Sequence, residues 1–154
     1  MFNLYKAQSG VTLIETVIYI GIVSIVVVGI ISVVIQLVTL KSRADAYSLI
    51  SAEASNVFEK MINDVRDGDS FRLIDQHTLE VTNDAEIKEI YFQDNRVWVF
   101  EDGVEYELTS NLVKVNNLTF ADWTSTNSDA LIHVILEVQK GDVNETFQTG
   151  IHQR

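Results

Sequence analysis

Few side chains in this sequence have the type and spacing that chemistry needs. Glu15 heads a run, Thr16 to Leu40, of 25 residues without a single charge. An ionised carboxylate near a bilayer interior costs ~2.5–3.5 kcal/mol on insertion scales, so its position calls for a partner or a task. His77, His133 and His152 are the only histidines, and no two have the i, i+4 spacing of a helical metal site. His133 falls in an apolar strand pattern and reads as a packed or outward-facing side chain. Asp64, Asp67 and Asp69, with Asn63 nearby, could gather oxygens around Ca²⁺. The calcium-loop spacing with its final Glu is missing, however, and acids at a helix C-terminus oppose the helix dipole. A solvated acidic turn is the better reading. The chain has no Cys to act as a nucleophile, no Gly-x-Ser-x-Gly turn and no Gly-rich phosphate loop. These residues do not assemble a catalytic centre, so the chain reads as a non-enzyme with no metal and no cofactor. The two Asn-x-Thr sequons at Asn117 and Asn144 read as chance.

Charge and length narrow the class further. The 154 residues suit one domain plus an anchor. Twenty-one of the 22 acids and ten of the 11 bases lie in 41–154, which gives that part the whole net charge of −11. Such an acidic surface argues against nucleic acid as a partner, because phosphates need a basic patch. Without Cys there is no disulfide and no thiolate metal site. Without Pro nothing breaks a long helix sharply.

The elements that must position Glu15 follow from the hydropathy pattern. The run to Leu40 exceeds the ~20 apolar residues a helix needs to span a bilayer, which makes lipid a partner. It is about twice as long as the roughly 7–15-residue core of a secretory signal peptide. In lipid only a helix satisfies its own backbone, so Val11–Leu40 reads as helical. Placed at 100° steps, Gly21, Ser24, Gly29, Ser32, Gln36 and Thr39 fall within an arc of about 140°. Small and hydroxyl-bearing residues on one stripe let helices approach closely in lipid, so Gly21, Ser24, Gly29 and Ser32 read as a packing seam. Lys6 precedes the run while Lys41 and Arg43 follow it, so charge alone orients it only weakly.

Beyond Leu40 the pattern becomes amphipathic. Tyr47, Ile50, Ala54, Val57, Phe58, Met61, Ile62 and Val65 recur at helical spacing and predict a core-facing stripe. Asp67-Gly68 reads as the helix end, with Gly68 supplying a left-handed C′ residue. The prediction is one helix of about 55 residues, or ~80 Å. From Phe71 the period switches to that of strands. Thr78–Thr82, Ile87–Phe92, Arg96–Phe100, Val104–Leu108 and Leu112–Phe120 read as strands, with an Asp-Gly turn at Asp102-Gly103. A polar loop follows Trp123, itself a candidate exposed contact, and Leu131–Gln139 with Val143–Thr149 forms a last hairpin over Lys140-Gly141-Asp142. Trp98 and Phe100 share one face of their strand and Val97 and Val99 the other. A strand apolar on both faces is buried centrally or covered by a partner, and core is the default. The expected architecture is α+β, one long helix packed on antiparallel sheet.

The string Ser9-Gly10-Val11-Thr12-Leu13-Ile14-Glu15 and the apolar run behind it resemble the prepilin signature of type IV pilins and type II secretion pseudopilins. That resemblance implies a pilin fold and three segments: a leader at 1–10, a transmembrane and filament-core helix at 11–40, and a soluble head at 41–154 whose helix runs to about residue 68. It implies that prepilin peptidase, which is also the N-methyltransferase, cuts between Gly10 and Val11 and methylates Val11. The family prefers Phe where this chain has Val11. Glu15 becomes the fifth mature residue, whose acid in the family pairs with the N-terminal amine of a neighbouring subunit and sets register. Val113-x-Val115-x-Asn117-Leu118-x-Phe120, within the stretch Tyr106–Phe120, resembles a strand of the J-type pseudopilins and W-type minor pilins. The implied function is a minor pilin or pseudopilin at or near the tip of a type IV pilus or type II secretion pseudopilus. A major fibre subunit, a competence pseudopilin and a signal-anchored binding module that never polymerises are the alternatives. Implied partners are prepilin peptidase, other pilin or pseudopilin subunits and the inner-membrane assembly platform. The implied location is the inner membrane, crossed once, with the C-terminal domain outside the cytoplasm, and then the pilus or periplasmic pseudopilus.

Overall fold

The computed structural model describes residues 12–84, 86–122 and 131–152. The chain divides into two compact units, the first ending at Ser42 and the second beginning at Arg43. One helix, α1 (Leu13–Asp67, 55 residues), supplies the described part of the first unit and the opening of the second. Its N-terminal part has a stretch of mean hydropathy 2.9, long and apolar enough to cross a membrane, and none of that stretch is buried.

Among the described residues, the second unit holds eight antiparallel strands in two sheets. The first sheet runs β1 (Ser70–Asp75), β2 (Thr78–Asn83), β3 (Glu86–Gln93), β4 (Arg96–Glu101) and β5 (Val104–Glu107), each paired with the next in sequence. The second runs β6 (Lys114–Asp122), β7 (Leu131–Lys140) and β8 (Val143–His152). The α+β class is therefore as expected, with the sheet divided in two.

Turn chemistry fixes the registers. Asp94-Asn95 and Asp102-Gly103 all take positive φ (51°, 63°, 54° and 75°), as two-residue type I′ turns require. Gly141, at φ 61°, opens the turn between Lys140 and Val143. The sheets meet where β6 docks on two turns of the first. Phe120 N donates to Gln76 O at 2.8 Å, and Val115 N donates to Asn95 O at 2.9 Å. The His77 ring Nδ1 lies 2.6 Å from Leu118 O, which accounts for that histidine without a metal.

The core forms between the helix and both sheets. Ile50, Ala54, Val57, Met61 and Val65 are buried to 1% exposure or less, against Leu79, Val81, Ile90, Val97, Val99, Leu118, Leu136 and their neighbours. Phe58 and Ile62 pack at its margin. Tyr47 departs from the predicted stripe: it is 51% exposed, and Ala46 is buried in its place.

Three further expectations are corrected. Gly68 is not left-handed. Its backbone lies so close to β2 that a Cβ there would stand 2.4 Å from Val81 Cγ1, so close packing is what demands glycine. Asp64 is not part of a solvated turn, for it is only 7% exposed. The outer face of β4 is not core. Val97 and Val99 are fully buried, whereas Phe100 is 38% exposed and Trp98 half-buried. Trp123 and the polar loop Thr124–Ser128 lie outside the described residues.

Candidate assembly site at the helix N-terminus

The predicted cleavage pair, Gly10 and Val11, also lies outside the described residues. The described residues begin at Thr12, which caps the helix. Its Oγ1 accepts the backbone N–H of Glu15 at 3.3 Å, and its carbonyl accepts the N–H of Thr16 at 3.2 Å. Thr12-Leu13-Ile14-Glu15 thus has the Ser/Thr-x-x-Glu spacing of a capping box, with Glu15 at the third helical position. A carboxylate there faces the positive end of the helix dipole, a favourable placement. Tyr19, one turn on, donates its hydroxyl to Glu15 Oε1 at 3.1 Å. Thr12 stands in the prepilin-like string, but its capping role and the Tyr19 bond are additions from the structure. The Thr-x-x-Glu spacing and the i, i+4 acid–tyrosine pair were the available signals.

The seam residues stand on the exposed surface of the same helix. Ser24 and Ser32 donate their hydroxyls to the carbonyls of Ile20 and Val28 at 2.7 and 2.9 Å, and Thr39 donates to Ile35 at 3.0 Å. Hydroxyls satisfied within their own helix can lie in lipid or against a neighbour without loss. A Cβ added at Gly21 or Gly29 would meet no atom within 4 Å. The glycines thus offer bare backbone to whatever lies alongside.

A second polar constellation takes Asp64 out of the acidic turn the sequence suggests and joins it to residues far along the chain. Lys60 and Asp64 from α1 meet Lys88 of β3, Glu101 of β4 and Tyr106 of β5. Lys60 Nζ lies 3.1 Å from both Asp64 Oδ1 and Glu101 Oε2, Lys88 Nζ lies 2.5 Å from Glu101 Oε1, and Tyr106 donates to Glu101 Oε2 at 2.9 Å. The Lys88 bond, with help from Tyr106 and Lys60, outweighs desolvation and holds the Glu101 carboxyl down at about 2. Burial pulls the Lys60 ammonium down, but its bonds to Asp64 and Glu101 prevail and leave its pKa raised. Lys88 is raised as well, chiefly by Glu101. The cluster joins the helix to three strands at one end of the core. Opposed charges this close offset one another, with the buried Asp64 Oδ2 the one oxygen left without a hydrogen bond among the cluster's carboxylates, and the arrangement reads as structural rather than as a poised acid and base. Near it, Glu53 Oε2 accepts the N–H of Ser110 at 3.2 Å, and the buried Thr109 Oγ1 accepts the N–H of Val97 at 3.1 Å. Among the described residues no group of acids and histidines could hold a metal ion.

Comparison with known proteins bears on the helix end. Residues 5–31 match the family model described as the prokaryotic N-terminal methylation motif. No curated protein and no solved structure matches the chain. The match spans the predicted cleavage pair, Glu15, Tyr19 and the first three seam positions, Gly21, Ser24 and Gly29. Taken with a helix long and apolar enough to cross a membrane and the α+β fold behind it, the motif supports a place for this chain in the type IV pilin and pseudopilin family.

Proposed function

We propose that the chain is a minor pilin or pseudopilin, made as a membrane-inserted precursor. Prepilin peptidase cuts it after Gly10 and methylates Val11. The inner-membrane platform then adds the mature subunit to a type IV pilus or a type II secretion pseudopilus, at or near the tip, with the C-terminal domain outside the cytoplasm. The observation that carries the reading is the methylation motif at 5–31 leading straight into an uncharged span on α1. Such a chain is a substrate and a building block rather than an enzyme. Likeness of the Val113–Phe120 strand to the J-type and W-type subgroup favours a minor component.

The chemistry of assembly follows from Glu15. Cleavage places a positive amine at Val11, four residues from an acid at the head of the apolar span. Opposite charges attract strongly where the dielectric is low, so the acid of an incoming subunit seeks the amine of its neighbour. Tyr19 holds only one bond to the carboxylate, and a carboxylate can accept several. Glu15 then serves as the axial register mark, while Gly21, Ser24, Gly29 and Ser32 allow close lateral packing. Glu15→Gln keeps the shape and removes the charge, and Glu15→Ala removes both. Both variants are expected to be cleaved normally yet to be lost from sheared filaments. Incorporation at the wild-type level would refute the register role.

A further inference from the structure

The outer face of the first sheet, turned away from the core, carries an aromatic and acidic patch that assembly through α1 leaves unused. Strand register places Glu89, Phe100 and Glu105 side by side across β3, β4 and β5. Tyr91 and Trp98 form the adjacent row on the same face. Phe100 is 38% exposed, and its directly paired neighbours across the two flanking strands are both glutamates. The Tyr91 hydroxyl donates to Glu105, and the Trp98 indole N–H donates to Gln93 O at 3.2 Å, so both rings are fixed in place. A hollow of about 500 Å³ opens here, lined by Thr78, Glu89, Tyr91, Gln93 and Phe100. Farther along the face, Glu80 and Glu107 are already paired with Arg72 and Arg96. Among the described residues, Glu89 has no cationic partner of its own.

We infer that this face docks a protein segment presenting an arginine side chain, whose guanidinium lies on the Phe100 ring between Glu89 and Glu105. A planar cation on an aromatic face gains from the ring's quadrupole, and flanking carboxylates add charge-assisted hydrogen bonds. Arginine suits the site better than lysine because its flat fork stacks on the ring and bonds at its edges together. The acidic domain, with a net charge of −11, steers a basic partner towards the face. The inference extends the proposed function by naming a partner chemistry and does not rest on it, since an anchored module that never polymerises would carry the same face.

The test is calorimetric titration of the full chain in non-ionic detergent with a peptide of alternating glycine and arginine, beside a matched peptide with citrulline for arginine. Saturable binding of the arginine peptide, weakened by salt, is expected, with none of the citrulline peptide. Glu89→Gln removes one flanking charge, and Phe100→Leu keeps apolar bulk but removes the ring. Each is expected to weaken binding by about fivefold to tenfold. Glu59→Gln, which removes the same charge from an exposed position on α1, is expected to leave binding unchanged. Equal weakening by Glu59→Gln and Glu89→Gln would reduce the effect to net charge and overturn the proposal. It would also fall if the citrulline peptide bound equally well, if Phe100→Leu had no effect, or if the arginine peptide did not bind at all.

Discussion

At the scale of single residues, Gly68 and Glu101 show how position decides what a residue type does. Gly68 follows α1, and its type alone suggests a left-handed cap. What the fold asks of it is the absence of a Cβ beside the buried Val81 side chain. Gly68→Ala should therefore overpack this contact and cost ~1–3 kcal/mol, read as a lower denaturant midpoint with an unchanged slope. Glu101 is held near 2 by Lys88, Tyr106 and Lys60, below its ordinary 4.5. A depressed carboxyl contributes stability above its unfolded value, and loses it as the pH falls through the folded one. The melting temperature of the full chain in detergent should therefore drop between pH 4.5 and about 2. Glu101→Gln should flatten that drop, by on the order of 1–2 kcal/mol once solvent screening is allowed for. The raised Lys60 and Lys88 act in the opposite direction, so their contribution is present below 10.5 and is lost as the pH rises above it. No local pattern could reveal this cluster. Lys60 and Asp64 share a helix face, but Lys88, Glu101 and Tyr106 reach them only through strand pairing.

At the scale of elements, the sequence is most legible where a period or a turn governs. The long helix, the β3–β4–β5 meander and the β7–β8 hairpin follow from apolar spacing and from Asp-Gly and Lys-Gly-Asp turns. Strand ends are less legible. β6 begins at Lys114 rather than Leu112, and β8 continues to His152. These limits depend on cross-strand partners that lie far along the chain. How the two sheets meet is likewise set by backbone bonds from β6 to the Gln76 and Asn95 turns, which no local motif signals. The helix stripe was right for Ile50, Ala54, Val57, Met61 and Val65, and missed Tyr47 by one position. Helical spacing fixes an angle only to within about one residue's 100° step. The two positions differ in a measurable way. Ile50→Ala should cost ~2–5 kcal/mol through the cavity it leaves, whereas Tyr47→Ala, at an exposed site, should change stability by ~0.5 kcal/mol or less. The N-cap at Thr12 was legible in principle, because its spacing is local. Thr12→Ala should loosen the first turn by ~1 kcal/mol, seen as faster amide exchange at Leu13 to Thr16.

At the scale of the whole molecule, charge and hydropathy are separated along the chain. The uncharged span lies in the first unit and nearly all the ionised groups lie in the second. This separation suits a subunit held by its helix, with an acidic domain free to meet other proteins. The methylation motif gives the apolar end a further meaning, because cleavage would leave the helix with a charged amine close to Glu15. The account therefore turns on whether the leader is removed. The most direct measurement is intact mass and N-terminal peptide mapping of the membrane form, from cells with an active prepilin peptidase and from cells lacking it. With the peptidase, the account predicts a chain that begins at Val11 and carries one added methyl group on its amine. Without it, the chain should retain residues 1–10. A membrane form that begins at Met1 in the presence of active peptidase would contradict the account.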